Sequence, residues 1–345
     1  MRHLVVTLLA CTALAGCRIL DRPMRVNSNA TARVTTEMPA VPNASPVFSQ
    51  TVPRYDNSGP KIALVDVDGL LLNMDMTGLG SQGENPVSIF REKLDTIAAD
   101  QCVRAVVVRI NSPGGGVTAT DVMWHDLQAF KQRTGLPVVA CLMDLGAGGA
   151  YYLATAADEI IAHPTTVTGG IGVILNVYNL QDAMAQFNVV AAPVKSGSHI
   201  DMGTPIAPLD DDKRQLLQDM ADEFHARFRR IVVSSRPLAN AGDATLFDGR
   251  VFTAGQAYDR HLIDTIGYLD DAVQACHRLS GVGQARVVLY HRSNDRARSQ
   301  YSITPNVPLQ GAVMPVSLPG LDRAKLPSFL YLWQPEPSME KLGGR

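Results

Sequence analysis

The sequence predicts an α/β fold built on a parallel sheet that helices cover on both faces. Between residues 61 and 163, short runs rich in valine and isoleucine alternate with amphipathic stretches of helix length. Parallel strands that are buried on both faces are almost continuously apolar, and each needs a crossover, usually a helix, to reach the next. The strands are predicted at 61–67, 103–110, 137–143 and 159–163.

Helices are predicted from the residues that begin and end them. Asn85 followed by Pro86 is typical of a helix N-cap with proline at the first helical position. Thr118 and Asp121 predict a capping box for the second helix, and Gly135 predicts its end. The helices are predicted at 86–99, 118–133, 148–157 and 212–233. The last of these has an apolar face formed by Leu217, Met220, Phe224, Phe228 and Ile231.

The N-terminus predicts a signal peptide over residues 1–17. A short polar start is followed by an apolar run over 4–13, which is too short to span a bilayer. The run ends in Leu14-Ala15-Gly16-Cys17, which resembles the lipobox of bacterial lipoproteins. This resemblance implies cleavage before Cys17 and attachment of lipid to its sulfur. The alternative is an ordinary secretory signal that happens to contain a cysteine.

Three further segments follow the signal peptide. Residues 18–59 are rich in Ser, Thr, Asn and Pro and predict a flexible tether, because such a composition buries too little apolar surface to fold. Residues 60–292 form the predicted folded body, and 293–345 a proline-rich C-terminal tail. The tail contains the apolar cluster Phe329-Leu330-Tyr331-Leu332-Trp333, which we expect to dock on its own body or on a neighbour.

Composition excludes several classes of partner and cofactor. The 31 basic and 33 acidic side chains leave a net charge of −2, so nucleic acid is not expected as a partner. The histidines form no metal-binding motif, and neither a metal nor another cofactor is predicted. The cysteines of the body, Cys102, Cys141 and Cys276, are not arranged as Cys-x-x-Cys pairs. Cys102 and Cys141 flank or lie in apolar strand-like runs, which favours buried free thiols, and one disulfide stays open as the alternative.

Two glycine-rich segments carry the candidate chemistry. Residues 111–116 read Asn-Ser-Pro-Gly-Gly-Gly and predict a turn after the second strand, whereas Gly148-Gly149 opens a short helix after the third. Glycine lets the main chain approach a ligand closely, and a helix N-terminus carries partial positive charge. We expect the backbone at Gly114, Gly115 and Gly149 to form an oxyanion cradle that binds a peptide carbonyl.

The order and spacing of these motifs resemble the signal peptide peptidase A family of bacterial serine proteases. The resemblance covers about residues 61–290 and rests on five segments: 109–116 (RINSPGGG), 151–158 (YYLATAAD), 168–173 (TGGIGV), 195–197 (KSG) and 248–257 (DGRVFTAGQA). It implies the crotonase and Clp-protease fold, a spiral of strand-strand-helix units that assembles into rings. In single-domain family members, the serine and the lysine of one site come from neighbouring subunits.

Three positions depart from the family pattern. Members cut with a Ser/Lys dyad; the resemblance puts the serine at Gly148, the lysine at Ile200 and a second serine, which contacts the lysine, at Gly170. Glycine has no side-chain atom with which to attack a carbonyl, and isoleucine cannot accept a proton. The sequence therefore predicts a non-catalytic pseudoprotease that binds peptides or family subunits as a scaffold or regulator.

The expected cellular location and partners follow from the lipobox and from the family resemblance. Lipid on Cys17 would anchor the protein to a membrane of the bacterial cell envelope, facing the periplasm, and Arg18 slightly favours the outer membrane. Homo-oligomers, or hetero-oligomers with an active family member, are expected.

Two alternatives stay open. The chain could be an active serine endopeptidase that degrades signal peptides or misfolded proteins with a relocated nucleophile; the nearby candidates are Ser112, Thr155, Ser196, Ser198, His199 and Asp201. In an extended segment, His199 would face opposite to Ile200 and could not simply replace the lysine. The second alternative is a crotonase-type enzyme that acts on an acyl thioester.

Overall fold

A computed structural model describes residues 46–51, 59–75, 84–292, 299–303 and 329–333, together with the backbone of two short strands near the N-terminus. These strands, β1 (Met24–Arg25) and β2 (Thr31–Ala32), pair with each other in a unit formed by the first 41 residues. The signal peptide, Cys17 and most of the predicted tether lie outside the described residues, so the predictions for them stay predictions.

The second unit contains the folded body. Its strands are β3 (Phe48–Thr51), β4 (Lys61–Leu71), β5 (Val103–Gly116), β6 (Val138–Ala147), β7 (Glu159–Ala162), β8 (Val167–Gly169), β9 (Ile174–Leu175), β10 (Val251–Thr253), β11 (Thr265–Ile266), β12 (Arg286–His291) and β13 (Phe329–Leu332). Its α-helices are α1 (Pro86–Ala99), α2 (Val117–Thr134), α3 (Gly149–Ala154), α4 (Gln181–Gln186), α5 (Asp211–Ser235), α6 (Ala254–Asp259) and α7 (Leu269–Ser280).

The centre of the sheet consists of β4, β5, β6 and β7, which pair in parallel in that order. The helices α1, α2 and α3 connect them, and α7 packs on the opposite face, where Cys276 and Val273 are buried against β5 and β6. The apolar runs in the sequence are thus strands buried on both faces. The α/β prediction is confirmed.

The strand β5 is longer than expected and passes through the segment predicted as a turn. Residues 111–116 are extended rather than turned, so that prediction is wrong. On one side Gly114 and Gly115 pair with Leu70 and Leu71 of β4, which also continues past its predicted end, and on the other side β13 joins them. Hydrogen bonding on both sides stabilises an extended backbone that the glycine-rich sequence alone does not favour.

Two of the three capping predictions for the helices are confirmed. The Asn85 side chain accepts hydrogen bonds from two N–H groups of the first turn of α1, and Gly135 ends α2 in the left-handed region at φ 67°. The capping box predicted for α2 is wrong, because no side chain caps that helix. Asp121 instead accepts hydrogen bonds from the Tyr152 hydroxyl and the Arg227 guanidinium.

Two strands join the sheet from outside the predicted body. β3 lies within the predicted tether, pairs antiparallel with β12 and so contradicts the tether prediction for Phe48–Thr51. β13 comes from the predicted tail. The segment 299–303 is also bound to the body: the buried Arg109 donates to Asp66 over 2.6 Å and to the carbonyl oxygens of Gln300 and Ser302.

Most of α5 is solvated. Its 25 residues begin after Asp210, whose side chain accepts from the Lys213 N–H as an N-cap, but only Phe228 and Val232 are buried. Of the predicted apolar face, Met220 is exposed and Phe224 is half-buried.

The cysteines of the body are free thiols. Cys141 and Cys276 are buried, and burial raises the pKa of the Cys141 thiol to about 12, so it stays protonated and unreactive. Cys102 is exposed, which contradicts the prediction of burial: it lies in the turn before β5 and not in the strand.

Within the described part of the chain, no helix is long and apolar enough to cross a membrane, and no cluster of His, Cys, Asp or Glu side chains could hold a metal ion.

Candidate active-site cleft

The two glycine-rich segments meet at one edge of the sheet, where β5 ends and α3 begins. A Cβ placed on Gly114 would lie 2.5 Å from the Gly149 nitrogen, and one placed on Gly115 would overlap the Leu71 carbonyl. One on Gly149 would overlap the Thr120 hydroxyl. The backbone segments at Gly114, Gly115 and Gly149 therefore lie next to each other, as predicted. They pack so closely that none of the three positions has room for a side chain.

Gly148 forms the sharp elbow between β6 and α3. Its backbone lies at φ 55°, ψ −125°, a conformation that residues with a side chain adopt only under strain. Its N–H donates to the Gly169 carbonyl over 2.9 Å, and its carbonyl accepts from the Tyr152 N–H over 3.0 Å. Both backbone groups thus stabilise the elbow, which is a strand-to-helix turn like the one that presents the nucleophile in α/β-hydrolases.

The C-terminal strand β13 lies in the cleft beside these glycines. It runs antiparallel to β5, with Tyr331 opposite Gly115, and antiparallel to β9 on its other edge. The Trp333 N–H donates to the Pro113 carbonyl over 3.1 Å. Hydrogen-bonded pairs alternate along an antiparallel ladder. Because Trp333 and Pro113 form one such pair, the next bonded pair is Tyr331 and Gly115, and the Gly115 N–H points at the Tyr331 carbonyl.

The Tyr331 carbonyl fills the place expected for a reacting carbonyl. A Cβ on Gly148 would lie 2.9 Å from the carbonyl carbon of Tyr331 and would overlap its oxygen. A Cβ on Gly114 would overlap the same oxygen. The carbonyl therefore lies against the glycine elbow, where a side chain at position 148 would meet it. A carbonyl of this chain's own C-terminal segment thus lies where the oxyanion cradle was expected, and the cradle itself stays a prediction.

The Tyr331 side chain is fully buried in an aromatic pocket, which we call the Tyr331 pocket and which consists of Tyr152, Phe224 and Phe228. Its ring stacks on Tyr152 at 5.3 Å between centroids and contacts Phe228 at 4.8 Å. Its hydroxyl donates to the Phe224 carbonyl over 2.8 Å. This pocket joins α3, which carries the elbow, to the C-terminal half of α5.

Other side chains of β13 alternate between two surfaces. Phe329 contacts Phe224 with ring centroids 5.1 Å apart, on the same side as Tyr331. Leu330 and Leu332 face the other way and cluster with Leu70. The strand is thus bound by its backbone and by apolar contacts on both faces.

A polar link fixes the wall of the pocket. Arg227 donates to Asp121 through Nε and Nη2, and the Tyr152 hydroxyl donates to the same carboxylate over 2.5 Å. Burial raises the pKa of Tyr152, and the negative charge of Asp121 raises it further, so the hydroxyl stays protonated and remains a donor. The link connects α2, α3 and α5 around the tail.

Of the other predicted catalytic positions, one lies at the cleft and one does not. A Cβ on Gly170 would lie 3.1 Å from the Gly148 nitrogen and 3.5 Å from the Trp333 Cβ. Ile200 is 70% exposed in a turn, not buried beside Gly148. The same turn overturns the assumption of an extended segment around His199.

The possible substitute groups are engaged elsewhere or lack a base. Lys195 pairs with Asp201 at 2.6 Å, and His199 lies 3.7 Å from Asp212. The Ser112 hydroxyl accepts from the Gly114 N–H over 3.1 Å, and the Thr155 hydroxyl donates to the Tyr152 carbonyl over 2.6 Å. Both hydroxyls hold the backbone.

Thr120 is a cleft residue that the sequence analysis missed. Its hydroxyl is buried against Gly149 and has no hydrogen-bond partner among the residues described. A serine or threonine nucleophile needs a base within hydrogen-bonding reach, and Thr120 has none here. Thr120 is the fourth residue of α2, and this position was the available signal, because the first turn of that helix directly follows the glycine-rich segment.

Comparison with known proteins gives consistent matches. Residues 130–283 match the profile of peptidase family S49. A protein named signal peptide peptidase SppA from Enterococcus faecium is 28% identical over 233 residues, which cover 68% of this chain and 67% of the relative. A Synechocystis protein named as a protease is 32% identical over 54% of this chain and 66% of itself. Protease 4 of Haemophilus influenzae is 28% identical over 64% of this chain but 35% of its own length.

Among solved structures, a mutant of a membrane-bound stomatin-specific protease aligns with 63% of this chain and 84% of its own, at 15% identity and a TM-score of 0.41. The S49 match and the parallel sheet with its strand-helix units confirm the predicted α/β fold of crotonase/Clp-protease type.

A single added carbon at the elbow tests this geometry. We expect Gly148→Ala to lower the free energy of unfolding by about 1–3 kcal/mol, because alanine is strained at this backbone conformation. The new Cβ should also displace the tail, which increased proteolysis near residue 331 would report. The matched control is Gly255→Ala, at an open helical position without positive φ. Equal unfolding curves for Gly148→Ala and the unchanged protein would contradict the assigned elbow.

Proposed function

Because the chain belongs to peptidase family S49, together with signal peptide peptidase A, we propose that it is a non-catalytic member that binds peptides in its cleft and acts as a scaffold or regulator. The observation that carries the proposal is the empty nucleophile position. The strand-to-helix elbow at Gly148 lies against a peptide carbonyl, yet position 148 offers no side-chain atom to that carbonyl, which supports a binding site without a nucleophile. The peptide-binding part of the site is therefore separable from its chemistry.

The size of the catalytic loss supports this proposal over an active peptidase. Removing the nucleophile or its base from a serine protease costs about 10⁶ in rate, equivalent to about 8 kcal/mol of transition-state stabilisation. An oxyanion cradle alone retains about 10³–10⁴ over water. Here the nucleophile position, the lysine position and the second serine position all lack the reactive group. An amine from a neighbouring subunit would still find no hydroxyl at Gly148.

The alternative of an active peptidase requires a hydroxyl and a base that meet elsewhere. Ser196 and Ser198 are exposed in the bend and turn that also contain Ile200, whereas the cleft glycines Gly114, Gly115 and Gly149 are buried. Thr120 lies in the cleft but has no base, as described above. A fluorophosphonate probe would label and locate any activated hydroxyl. Binding of a coenzyme A analogue would favour the crotonase-type alternative.

We expect the unmodified protein to hydrolyse unfolded casein and signal-like peptides at least about 10⁵-fold more slowly than an active S49 peptidase. The double variant Gly148→Ser with Ile200→Lys should gain turnover, because it returns the nucleophile and the amine to their family positions. The added Cβ should also displace the C-terminal segment from position 148, as in Gly148→Ala, which leaves the cleft open to an added substrate. Mass spectrometry of the casein and peptide products would detect the gain.

The matched control for this gain is Gly148→Ala with Ile200→Lys, which makes the same backbone and charge changes without a hydroxyl. It should stay inactive. Turnover by the unmodified protein at a rate typical of hydrolases would contradict the pseudoprotease proposal.

We also propose self-association, or association with an active S49 subunit, through an exposed apolar surface. We define this surface by the exposed apolar side chains of the segment 187–200 and of the first half of α5, which are Phe187, Val189, Val190, Val194, Ile200, Leu216 and Met220. Exposed apolar patches of a few hundred Å² or more mark interaction sites. The position of Ile200 within it agrees with the family arrangement, in which this segment contributes to a neighbouring subunit's site.

The variant Val190→Asp with Val194→Asp tests this surface. We expect the unmodified protein to form a multimer and the variant to be a monomer by light scattering, because two buried charges would cost more than the contact supplies. Leu238→Asp is the control, since Leu238 is exposed outside the surface. A monomeric unmodified protein that also leaves the turnover of an active S49 peptidase unchanged would overturn the association.

The proposed lipid anchor on Cys17 rests on the lipobox sequence. A Cys17→Ala variant should incorporate no labelled palmitate and should leave the membrane fraction, whereas the unmodified protein should do both. Two or more acyl chains are needed for stable anchoring. Membrane attachment that survives the substitution would show that the N-terminal segment acts as an ordinary signal or by another anchor.

A further inference from the structure

We propose that residues 329–333 are a resident ligand of the cleft, and that the cleft accepts an extended peptide from another chain only when this segment is displaced. The ligand class follows from the resident segment: apolar residues at alternate positions, with tyrosine at the position whose carbonyl faces Gly148. The inference rests on the proposed peptide-binding function, and it names the peptides that the site selects and what competes with them.

The backbone of the cleft is built for one added strand. β13 lies between β5 and β9 and is antiparallel to both, so it completes the ladder on each side. Without it, the side of Gly114–Gly116 that faces away from β4 would form an exposed sheet edge. Addition of a strand to such an edge is a general mode of peptide recognition, in which backbone hydrogen bonds supply affinity and side-chain pockets supply selectivity.

The Tyr331 pocket selects the residue beside Gly148. The ring is stacked on Tyr152 and packed on Phe228, and its hydroxyl donates to the Phe224 carbonyl. Phenylalanine would fill the same space but would leave that carbonyl without its donor. A net hydrogen bond is worth about 0.5–1.5 kcal/mol, so we expect tyrosine peptides to bind about 2- to 12-fold more tightly than phenylalanine peptides.

The positions on either side require apolar residues of two kinds. Phe329 packs on Phe224 of α5, whereas Leu330 and Leu332 pack on Leu70 and the residues around it. The chain continues beyond Trp333 to residue 345, so the cleft holds an internal segment and needs no terminal carboxylate. The expected ligand is therefore an extended apolar stretch of an unfolded polypeptide.

A tethered ligand competes strongly with a free one. A segment joined to its own site acts at an effective concentration of about millimolar, and a free peptide must displace it to bind. The resident segment also contacts α5, whose first half carries the proposed association surface. Displacement of the resident segment would therefore remove side chains that pack on α5, and it would also open the cleft.

The direct test is a labelled peptide of residues 325–336 added to the full chain, with binding followed by fluorescence anisotropy. We expect Tyr331→Ala to bind the peptide at least tenfold more tightly than the unmodified protein, because its own tail no longer holds the pocket. A peptide that carries alanine in place of this tyrosine should bind neither protein. The matched control is Tyr301→Ala, because Tyr301 is 54% exposed in another part of the C-terminal region; it should bind like the unmodified protein.

A second measurement uses the unmodified protein, so that it does not depend on the folding of a variant. Hydrogen exchange of residues 329–333 should be slow, and a saturating concentration of the peptide should accelerate it in this segment. Rapid exchange without peptide would overturn the resident-ligand proposal.

The outcomes also separate this inference from the proposed function. If Tyr331→Ala and the unmodified protein bind the peptide equally well, the tail does not compete, and peptide binding itself survives. If both proteins stay folded by circular dichroism and neither binds this peptide nor unfolded casein, the peptide-binding function fails as well.

Discussion

The cleft depends on one constraint, the close approach of backbone segments at Gly114, Gly115, Gly148 and Gly149. At each of these positions an added Cβ would meet backbone or the Thr120 hydroxyl. This approach brings the end of β5, the elbow after β6 and the first turn of α3 into one concave edge. The elbow position itself carries no side chain, and the Tyr331 carbonyl lies directly against it.

The binding of the C-terminal strand β13 at this edge follows from the same constraint. A sheet edge lined with glycine offers hydrogen-bonding groups without side chains to protect them, and such edges attract another strand. β13 supplies the strand, and its aromatic residues bury the surface between α3 and α5. The Asp121 carboxylate, which binds both Tyr152 and Arg227, holds these helices at the spacing that the Tyr331 ring requires. The same aromatic contacts therefore bind the strand β13 and connect α3 to α5.

The sequence analysis predicted the fold well where the pattern is local. The valine-rich strands, the Asn85 cap and the end of α2 at Gly135 are properties of a few neighbouring residues, and they are confirmed. The predicted turn at 111–116, the capping box at Asp121 and burial of Cys102 were wrong. In the first two cases a distant partner decided the outcome: β13 and β4 hold 111–116 extended, and Tyr152 with Arg227 engages Asp121. Cys102 is exposed because β5 begins one residue later.

The sequence by itself determined that position 148 carries no reactive side chain, because the presence of a reactive atom is a property of one residue. It also indicated that the apolar cluster at 329–333 would be buried. Only the tertiary structure decided where that cluster binds and that Gly170 joins the elbow whereas Ile200 stays on the surface. Contacts between segments far apart in sequence depend on how strands pair and helices pack, and neither is encoded in the local pattern of either segment.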